Sequence, residues 1–259
     1  MRTHTVLAHP ERQSFNGHLC DITREVMSAA DSTVTVADLY TLGFDPCEGP
    51  HHFSTRKNSD AFHAQTEQRF SADNNALPAD VEAEVQNLLA CDCLVVHFPL
   101  WWFGMPAILK GWMDRVFVYG RMYRSVMRYD KGICKGKKMI ACVTTGASED
   151  SCSYNGKEGD TQLHLWPLLF PFRYLGFDVC EPEVFHGVGG VAFIEGHDGS
   201  TSAIDSYSNR WRETLQNLAS RPLISYNRDE EFDDNKRLIA GAATYSPFVR
   251  QYADATPKD

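Results

Sequence analysis

Residues 93–117 read Cys-Leu-Val-Val-His-Phe-Pro-Leu-Trp-Trp-Phe-Gly-Met-Pro-Ala-Ile-Leu-Lys-Gly-Trp-Met-Asp-Arg-Val-Phe. The first six residues are almost all apolar, which predicts a buried strand over Cys93–Phe98. A turn rich in aromatic residues follows, and from Pro106 the apolar residues return at helical spacing. A strand, a turn and a helix in this order are typical of a parallel sheet that is covered by helices.

The same alternation of strand and helix continues along the chain. Strands are predicted over Thr5–Ala8, Thr33–Asp38, Cys93–Phe98, Lys138–Thr145 and Phe177–Val184. Helices are predicted over 14–30, 78–90, from 106 onward, 162–174 and 203–220. Five strands that alternate with helices indicate an α/β, doubly wound parallel sheet. The flavodoxin-like strand order 2-1-3-4-5 would place a ligand at the carboxyl ends of strands 1, 3 and 4.

Two stretches interrupt this pattern. Residues 40–77 are rich in His, Asn, Asp, Gly and Pro, and a connection of this length is expected to be a functional loop or an excursion over the surface. Residues 221–259 are polar, with isolated aromatic residues whose spacing suggests contact with a neighbouring subunit. We therefore predict a domain over residues 1–223, followed by a C-terminal arm or tail over 224–259.

Composition excludes several classes of protein. The net charge of −9 disfavours nucleic acid as a partner, and the eight cysteines are scattered, which indicates buried, reduced thiols. The spacing of Cys91 and Cys93 matches no usual metal motif, so no metal site is expected. The chain begins without an apolar signal core, and no apolar run reaches the roughly 18 residues of a membrane span. A cytoplasmic location is expected.

Three loops at the predicted carboxyl edge carry candidate binding residues. The segment His9–Asn16 leads into a helix whose free N–H groups favour a phosphate, with Ser14 as a plausible N-cap. Pro99–Gly104 offers aromatic faces for a planar group, and Thr144–Ser148 offers hydroxyls and N–H donors. Each loop alone also has an ordinary structural interpretation. The first would be a helix cap, the second an apolar contact between helix and sheet, and the third the end of a strand. Together they predict a site for a planar redox cofactor.

Several motifs occur together in register. They are the stretch Phe98–Phe117, Leu7-Ala-His-Pro-Glu-Arg-Gln-Ser-Phe-Asn16, Ala37-Asp-Leu-Tyr40, Gly43-Phe-Asp-Pro46, Tyr129-Asp-Lys-Gly132, Val143-Thr-Thr-Gly146, Gly159-Asp160 and Leu165-Trp-Pro167. In these motifs the chain resembles the NAD(P)H:quinone oxidoreductases of the DT-diaphorase type, a family of flavodoxin-fold flavoproteins. The resemblance extends over about residues 1 to 223.

The resemblance implies an enzyme that transfers two electrons by a ping-pong mechanism, from NAD(P)H through flavin N5 to a quinone or similar acceptor. It also implies a homodimer whose active site lies at the subunit boundary, and a tightly held flavin: FAD, with FMN left open. The cofactor-binding residues by motif are His9, Ser14, Phe15, Asn16, Pro99, Leu100, Trp101, Trp102, Phe103, Thr144, Thr145, Gly146 and Ala147. Trp102, Phe103 and Tyr123 are catalytic candidates, and Tyr123 would reach into the partner's pocket.

The chain departs from this family at two places. Where the relatives have a Tyr and a His beside the flavin, this chain has Cys152 and Glu158, which are the other two catalytic candidates. A carboxylate near the anionic edge of a flavin opposes its reduction unless the carboxylate is protonated or turned away. Ser125 replaces a pocket tyrosine, and the arginines around it suit an anionic substrate or form a solvated basic surface.

Two other functions therefore stay open. One is an NAD(P)H-dependent reductase of free flavin, azo or nitro compounds on the same fold. The other is a regulatory flavin-binding subunit of the type that accompanies potassium-efflux systems, in which turnover is incidental. Roles for His51, His52, His63 and Gln65 in the segment after the second strand are also open, with surface polarity as the simpler interpretation than metal binding.

Overall fold

A computed structural model describes residues 1–28, 32–189 and 201–251, without the side chains of 201–203. The strands are β1 (Arg2–Leu7), β2 (Thr33–Asp38), β3 (Cys93–Pro99), β4 (Lys138–Thr144), β5 (Asp178–Val179) and β6 (Glu183–Phe185). The α-helices are α1 (Phe15–Ser28), α2 (Ala64–Asp73), α3 (Ala79–Ala90), α4 (Ala107–Val116), α5 (Thr161–Leu175) and α6 (Thr201–Gln216).

All strand pairs of the sheet are parallel, and the order is β2-β1-β3-β4-β5, with β6 also paired to β4. The predicted flavodoxin-like, doubly wound fold is thereby confirmed. The register pairs Leu7 with His97 and Pro99 with Thr144. The carboxyl ends of β1, β3 and β4 consequently lie side by side at one edge.

Helices cover the sheet on both faces. All seven residues of β3 are buried, and they alternate between two clusters, as the two-residue period of a strand requires. Cys93 and Val95 pack with residues of α1 and α6, whereas Leu94, Val96 and Phe98 pack with residues of α3, α4 and α5. Two separate apolar layers thus hold β3 at the centre of the domain.

A buried polar network lies between the sheet and helices α3 and α4. Glu84 Oε2 accepts a hydrogen bond from Trp112 Nε1 at 2.8 Å and lies 3.2 Å from His4 Nε2, while Glu84 Oε1 accepts from Asn87 Nδ2 at 3.0 Å. Burial raises the pKa of Glu84, but the hydrogen bonds from His4, Trp112 and Asn87 outweigh burial and hold that pKa below its ordinary value. The network stays satisfied because each carboxylate oxygen has a donor.

The segment predicted as one long loop over residues 40–77 contains helix α2, so that prediction is wrong in part. The helix has little apolar periodicity, and tertiary contacts stabilise it instead. His63 Nδ1 accepts from Thr66 N at its start, and the buried Glu67 carboxylate accepts the backbone N–H groups of Lys57 and Asn58 at 2.6 and 3.1 Å. Contacts of this kind leave no pattern in the sequence.

The predicted fifth strand over Phe177–Val184 is two short strands, β5 and β6. Pro182 lies between them, and a proline cannot donate to a ladder. At this break the chain pairs instead with the start of the arm: Cys180 forms a bridge with Leu223, and Ile224 N donates to Val179 O at 2.8 Å. The boundary predicted at residue 223 stays a prediction.

Described residues of the arm pack on helix α5 of their own chain. The ring of Tyr226 lies 5.6 Å from that of Trp166, and Phe248 stacks on Trp166 at 5.2 Å. Asp229 N also donates to Asp130 Oδ2 at 2.7 Å. These two aromatic residues therefore have intrachain partners, and the expected contact of the arm with a neighbouring subunit stays a prediction. Residues 252–259 lie outside the described part.

All eight cysteines are free, and Cys47 is exposed while the others are buried. Burial accounts for the raised pKa of several thiols, including Cys91, whose pKa is about 11. Within the described ranges, no helix combines the length and the apolar character that crossing a bilayer requires.

Gly111 provides a test of how the segment after β2 is held. A Cβ at Gly111 would overlap the carbonyl oxygen and the ring of Pro46. In Gly111→Ala this overlap outweighs the roughly 1 kcal/mol by which alanine favours a helix. We expect the free energy of unfolding, measured with urea, to fall by about 1–3 kcal/mol. Lys110→Ala, on the exposed side of α4, is the control and should change it by less than about 0.5 kcal/mol.

Candidate functional site

The structure brings the three predicted loops together at the carboxyl edge of the sheet. Thr144, the last residue of β4, links them. Its side-chain oxygen accepts from Asn16 Nδ2 at 2.7 Å, and its carbonyl accepts from Leu100 N at 2.8 Å. The ring of His9 lies 5.8 Å from that of Trp101. The loops after β1, β3 and β4 therefore form one continuous surface.

The aromatic turn after β3 is closed and strained. Trp101 N donates to Gly104 O at 3.0 Å, and Gly104 N donates back to Trp101 O at 2.9 Å. Between them, Trp102 and Phe103 have φ of 51° and 59°, in the left-handed region that bulky residues rarely adopt. The turn leaves Trp102 96% exposed and Phe103 50% exposed. Strain combined with exposed aromatic surface is typical of a binding site.

The start of α1 supplies polar groups to the same surface. Ser14 is the N-cap, as predicted, because its Oγ accepts from Gly17 N at 3.2 Å. The side chain of Phe15 is buried against Phe185 at 5.8 Å, so it supports the loop from beneath. Asn16 Oδ1 is buried and has no hydrogen-bond partner among the described residues. A ligand that donates a hydrogen bond would satisfy it.

His9 is half-buried at this edge. Burial lowers its pKa below the ordinary value for histidine, although the neighbouring Glu11 acts in the opposite direction. Its Nδ1 lies 3.0 Å from both the N and the O of Glu11. Nε2 is therefore the ring atom that remains for an external group, and the neutral form of the ring is favoured.

The loop after β4 is held by the last residue of β6 and by residues that follow this strand. Thr145 N donates to Phe185 O and Val188 N donates to Thr145 O, each at 2.9 Å, and Gly187 N donates to Ala147 O at 2.8 Å. Gly146 lies at the exposed tip of this arrangement. A Cβ there would meet only Val188 O, at 3.9 Å, so the space beside Gly146 is open among the described residues.

Cys152 and Glu158 lie in the loop that leads to α5, and they differ in setting. Cys152 is buried, and its carbonyl accepts from Thr161 N at 3.1 Å. Glu158 is half-buried, and its carboxylate has no hydrogen bond or ion pair in the described part of the chain. The main chain around both residues is therefore fixed, while the Glu158 carboxylate stays available.

Sequence reasoning missed two histidines of this region. His164, on α5, lies with its Nε2 3.0 Å from Glu158 O and its ring 5.0 Å from Phe103. It thereby connects the loops after β3 and β4. His186 directly follows β6, and burial lowers its pKa. The one signal in the sequence that could have identified His186 is its position directly after a strand. The predicted fifth strand ends at Val184, one residue before the observed end at Phe185.

Tyr123 belongs to a different part of the chain from the three loops. Helix α4 runs back from the carboxyl edge, so the chain beyond its end lies toward the opposite edge. There the hydroxyl of Tyr123 accepts from Gln65 Nε2 at 3.0 Å, and its ring contacts Tyr119 and Tyr174. Among the described residues of this chain, these contacts of Tyr123 therefore do not include the three loops.

The arginines near Ser125 each hydrogen bond to a different group of the chain. Arg121 pairs with Glu82 at 3.3 Å, Arg124 Nε donates to Gly120 O at 2.9 Å, and Arg128 donates to the hydroxyl of Tyr174 at 3.2 Å. Each guanidinium therefore has a hydrogen-bond partner within the chain. This arrangement favours the interpretation of the run as ordinary surface polarity.

Comparisons with known proteins agree with this geometry. The family model for the flavodoxin-like fold matches residues 1–215. NAD(P)H dehydrogenase [quinone] 1 of Rattus norvegicus is 33% identical over 228 residues, which cover 86% of this chain and 82% of the rat protein. Ribosyldihydronicotinamide dehydrogenase [quinone] of Homo sapiens is 35% identical over 215 residues, 82% of this chain and 90% of the human protein.

Among solved structures, a protein from Klebsiella pneumoniae described as a quinone reductase superposes with a TM-score of 0.82. It is 27% identical, and the match covers 92% of this chain and 93% of that one. The sequence matches and the fold point the same way, and the chain belongs to the flavodoxin-like family of NAD(P)H dehydrogenases [quinone].

Proposed function

We propose that this protein is a flavin-dependent NAD(P)H:quinone oxidoreductase. The observation that carries the proposal is the exposed aromatic turn Trp101–Phe103 at the edge where β1, β3 and β4 end. Ligands of doubly wound sheets bind at this edge. Family membership supplies the reaction, because the relatives named above are dehydrogenases that act on quinones.

The residues at the edge fit a flavin. The aromatic turn would hold the planar ring by stacking, and the start of α1 would hold a phosphate. Asn16 Oδ1, the buried acceptor without a partner among the described residues, suits a hydroxyl that donates to it. Thr145, Gly146 and Ala147 would face the polar end of the ring. Of the two common flavins we propose FAD, on the resemblance seen in the sequence.

A flavin held by these loops would supply hydride chemistry: two electrons from NAD(P)H would reach the quinone, which with two protons would become a hydroquinone. The chain's part is to orient the reactants and to exclude water from the edge. Because the same exposed surface serves donor and acceptor in turn, we expect ping-pong kinetics. Double-reciprocal plots at several quinone concentrations should therefore be parallel.

We also propose that the protein is a cytoplasmic homodimer. The eight free thiols suit a reducing compartment. Tyr123 is half-buried beside Gln65, outside the edge of its own subunit, which supports the proposal that it completes the site of a partner subunit. Sedimentation of the purified protein would measure the oligomeric state directly.

Gly146→Leu tests the site without disturbing the fold. Among the described residues, a Cβ at this position meets only Val188 O at 3.9 Å, so thermal unfolding of the apoprotein should match that of the wild type. The same side chain would occupy the space proposed for the polar end of the flavin. We expect flavin affinity, measured by quenching of flavin fluorescence, to fall by at least about tenfold, or about 1.4 kcal/mol.

Turnover is measured on the same preparations. We expect the wild type to oxidise NADH or NADPH only when a benzoquinone is present, and Gly146→Leu to lose this activity with its flavin. A flavin-bound wild type without turnover on quinone, azo or nitro acceptors would contradict the enzyme assignment and favour the regulatory subunit. Unchanged flavin binding in Gly146→Leu would contradict the proposed site. Release and weighing of the chromophore distinguishes FAD from FMN.

Glu158 is proposed to tune the cofactor. Its carboxylate has no partner in the described part of the chain, and a negative charge beside a flavin opposes the gain of electrons. In Glu158→Gln we expect the two-electron midpoint potential to rise by on the order of 20 mV, about 1 kcal/mol of Coulomb energy. Glu181→Gln, the same charge change at an exposed site between β5 and β6, is the control. Equal potentials in both variants would contradict this role.

A further inference from the structure

Three side chains of types that can ligate a metal ion converge in the segment after β2, where residues 45–52 read Asp-Pro-Cys-Glu-Gly-Pro-His-His. Asp45 Oδ2 lies 3.1 Å from His51 Nε2 and 3.5 Å from His52 Nε2. The centroids of the two imidazole rings are 4.0 Å apart, and one ligand atom from each of the three residues lies within 4.8 Å of the others. We name these residues the Asp45–His51–His52 cluster.

The separations match those between the ligands of a zinc ion. With Zn–N and Zn–O bonds of 2.0 to 2.1 Å, two ligand atoms at tetrahedral positions are about 3.3 Å apart. The two measured separations from Asp45 Oδ2 lie on either side of this length. A hydrogen bond would account for one histidine beside the carboxylate oxygen. His52 Nε2 has its own hydrogen bond with Cys47 O at 2.9 Å, and it nevertheless lies 3.5 Å from the same carboxylate oxygen, so nitrogens of two consecutive histidines flank Asp45 Oδ2.

The main chain prepares the donor atoms. Asp45 Oδ1 accepts from Cys47 N at 2.9 Å, which leaves Oδ2 for the histidines. The carbonyl of Asp45 accepts from the buried Arg115 at 2.9 Å, and Pro46 fits over Gly111. A 3-10 turn over Pro50–His52 presents the two rings from consecutive residues. Little conformational entropy is therefore left to lose when an ion binds.

The cluster is also accessible. The side chains of Asp45 and His51 are 47% and 58% exposed, whereas His52 is only 12% exposed. An ion can therefore enter from solvent and retain a water molecule in its remaining position. Two imidazoles and one carboxylate suit zinc and similar first-row ions, because Mg²⁺ and Ca²⁺ prefer sites made wholly of oxygen.

We propose that the Asp45–His51–His52 cluster binds one Zn²⁺ ion and ties the segment after β2 together. His52 Nε2, now 2.9 Å from Cys47 O, exchanges that contact for the metal, and its ring proton moves to Nδ1. Both histidines bind as neutral imidazoles, so any proton they carry is released to solvent. The site takes no part in the proposed redox reaction and is independent of it.

Zinc binding to the full chain, as purified and then freed of metal with a chelator, tests the proposal. A chromogenic indicator that competes for Zn²⁺ reports stoichiometry and affinity, and differential scanning calorimetry reports stability. We expect one ion per chain and a rise in Tm, because a ligand that binds only the folded state stabilises it. Asp45→Asn, His51→Gln and His52→Gln should each weaken binding by at least about tenfold.

Two matched variants serve as controls. His63→Asn changes a histidine of the same segment and keeps an N-cap for α2, and Cys47→Ser removes the exposed thiol. Both should bind zinc as the wild type does. The proposal is overturned if the wild type shows neither binding nor a change in Tm. It is also overturned if the cluster variants retain wild-type affinity, or if Cys47→Ser alone abolishes binding.

Discussion

The parallel register of β1, β3 and β4 is the constraint on which the site depends. Because β3 is buried on both faces, two apolar layers fix its pairing with both neighbours. A shift of the register by one residue would turn each side chain of β3 to the opposite face of the sheet. The same register sets Leu7 beside His97 and Pro99 beside Thr144. The hydrogen bonds of Thr144 to the neighbouring loops follow from it. The packing of β3 in the core therefore determines how the loops after β1, β3 and β4 are placed at the surface.

Two tryptophans show how the core and the candidate site differ in the burial of aromatic surface. Trp112 is fully buried, and its N–H is satisfied by Glu84, so it contributes apolar area without an unpaired donor. Trp102, only ten residues earlier, is almost fully exposed on a backbone with positive φ. Such a backbone conformation costs on the order of 1–3 kcal/mol of folding free energy. Because the indole of Trp102 is exposed, burial of its apolar surface does not compensate for this cost. A stacked ligand would gain the area that folding leaves uncovered.

The sequence predicts those parts of the fold that rest on periodic patterns. Strands β2, β3 and β4 are predicted to within one residue at each end, because a short run of apolar or β-branched residues marks each of them, and the start of helix α4 is also predicted to within one residue. Helix α2 has no such face: it is held by a histidine cap and by a glutamate that accepts backbone N–H groups from a preceding turn. The Asp45–His51–His52 cluster likewise leaves no periodic pattern in the sequence, because its three side chains meet only when the loop folds. His164 reaches Phe103 only through tertiary packing. One sequence carries no local signal for contacts of this kind.

The electrostatics of the edge follow from which charges are already paired. Arg12 is the cation of the segment His9–Asn16, and its guanidinium donates to Asp21 at 2.5 Å and to Gly17 O at 3.0 Å. The hydrogen bond and charge of Asp21 raise the pKa of Arg12 further, so it stays charged and stays paired. Burial keeps His9 neutral near neutral pH. A phosphate at this edge would therefore be held by the N–H groups and the dipole of α1, which act over one turn and need no free cation. Such a site suits a chain of net charge −9. A cationic side chain in this chain is readily paired by a carboxylate, as Arg12 is by Asp21, whereas the orientation of the backbone N–H groups is fixed by the helix.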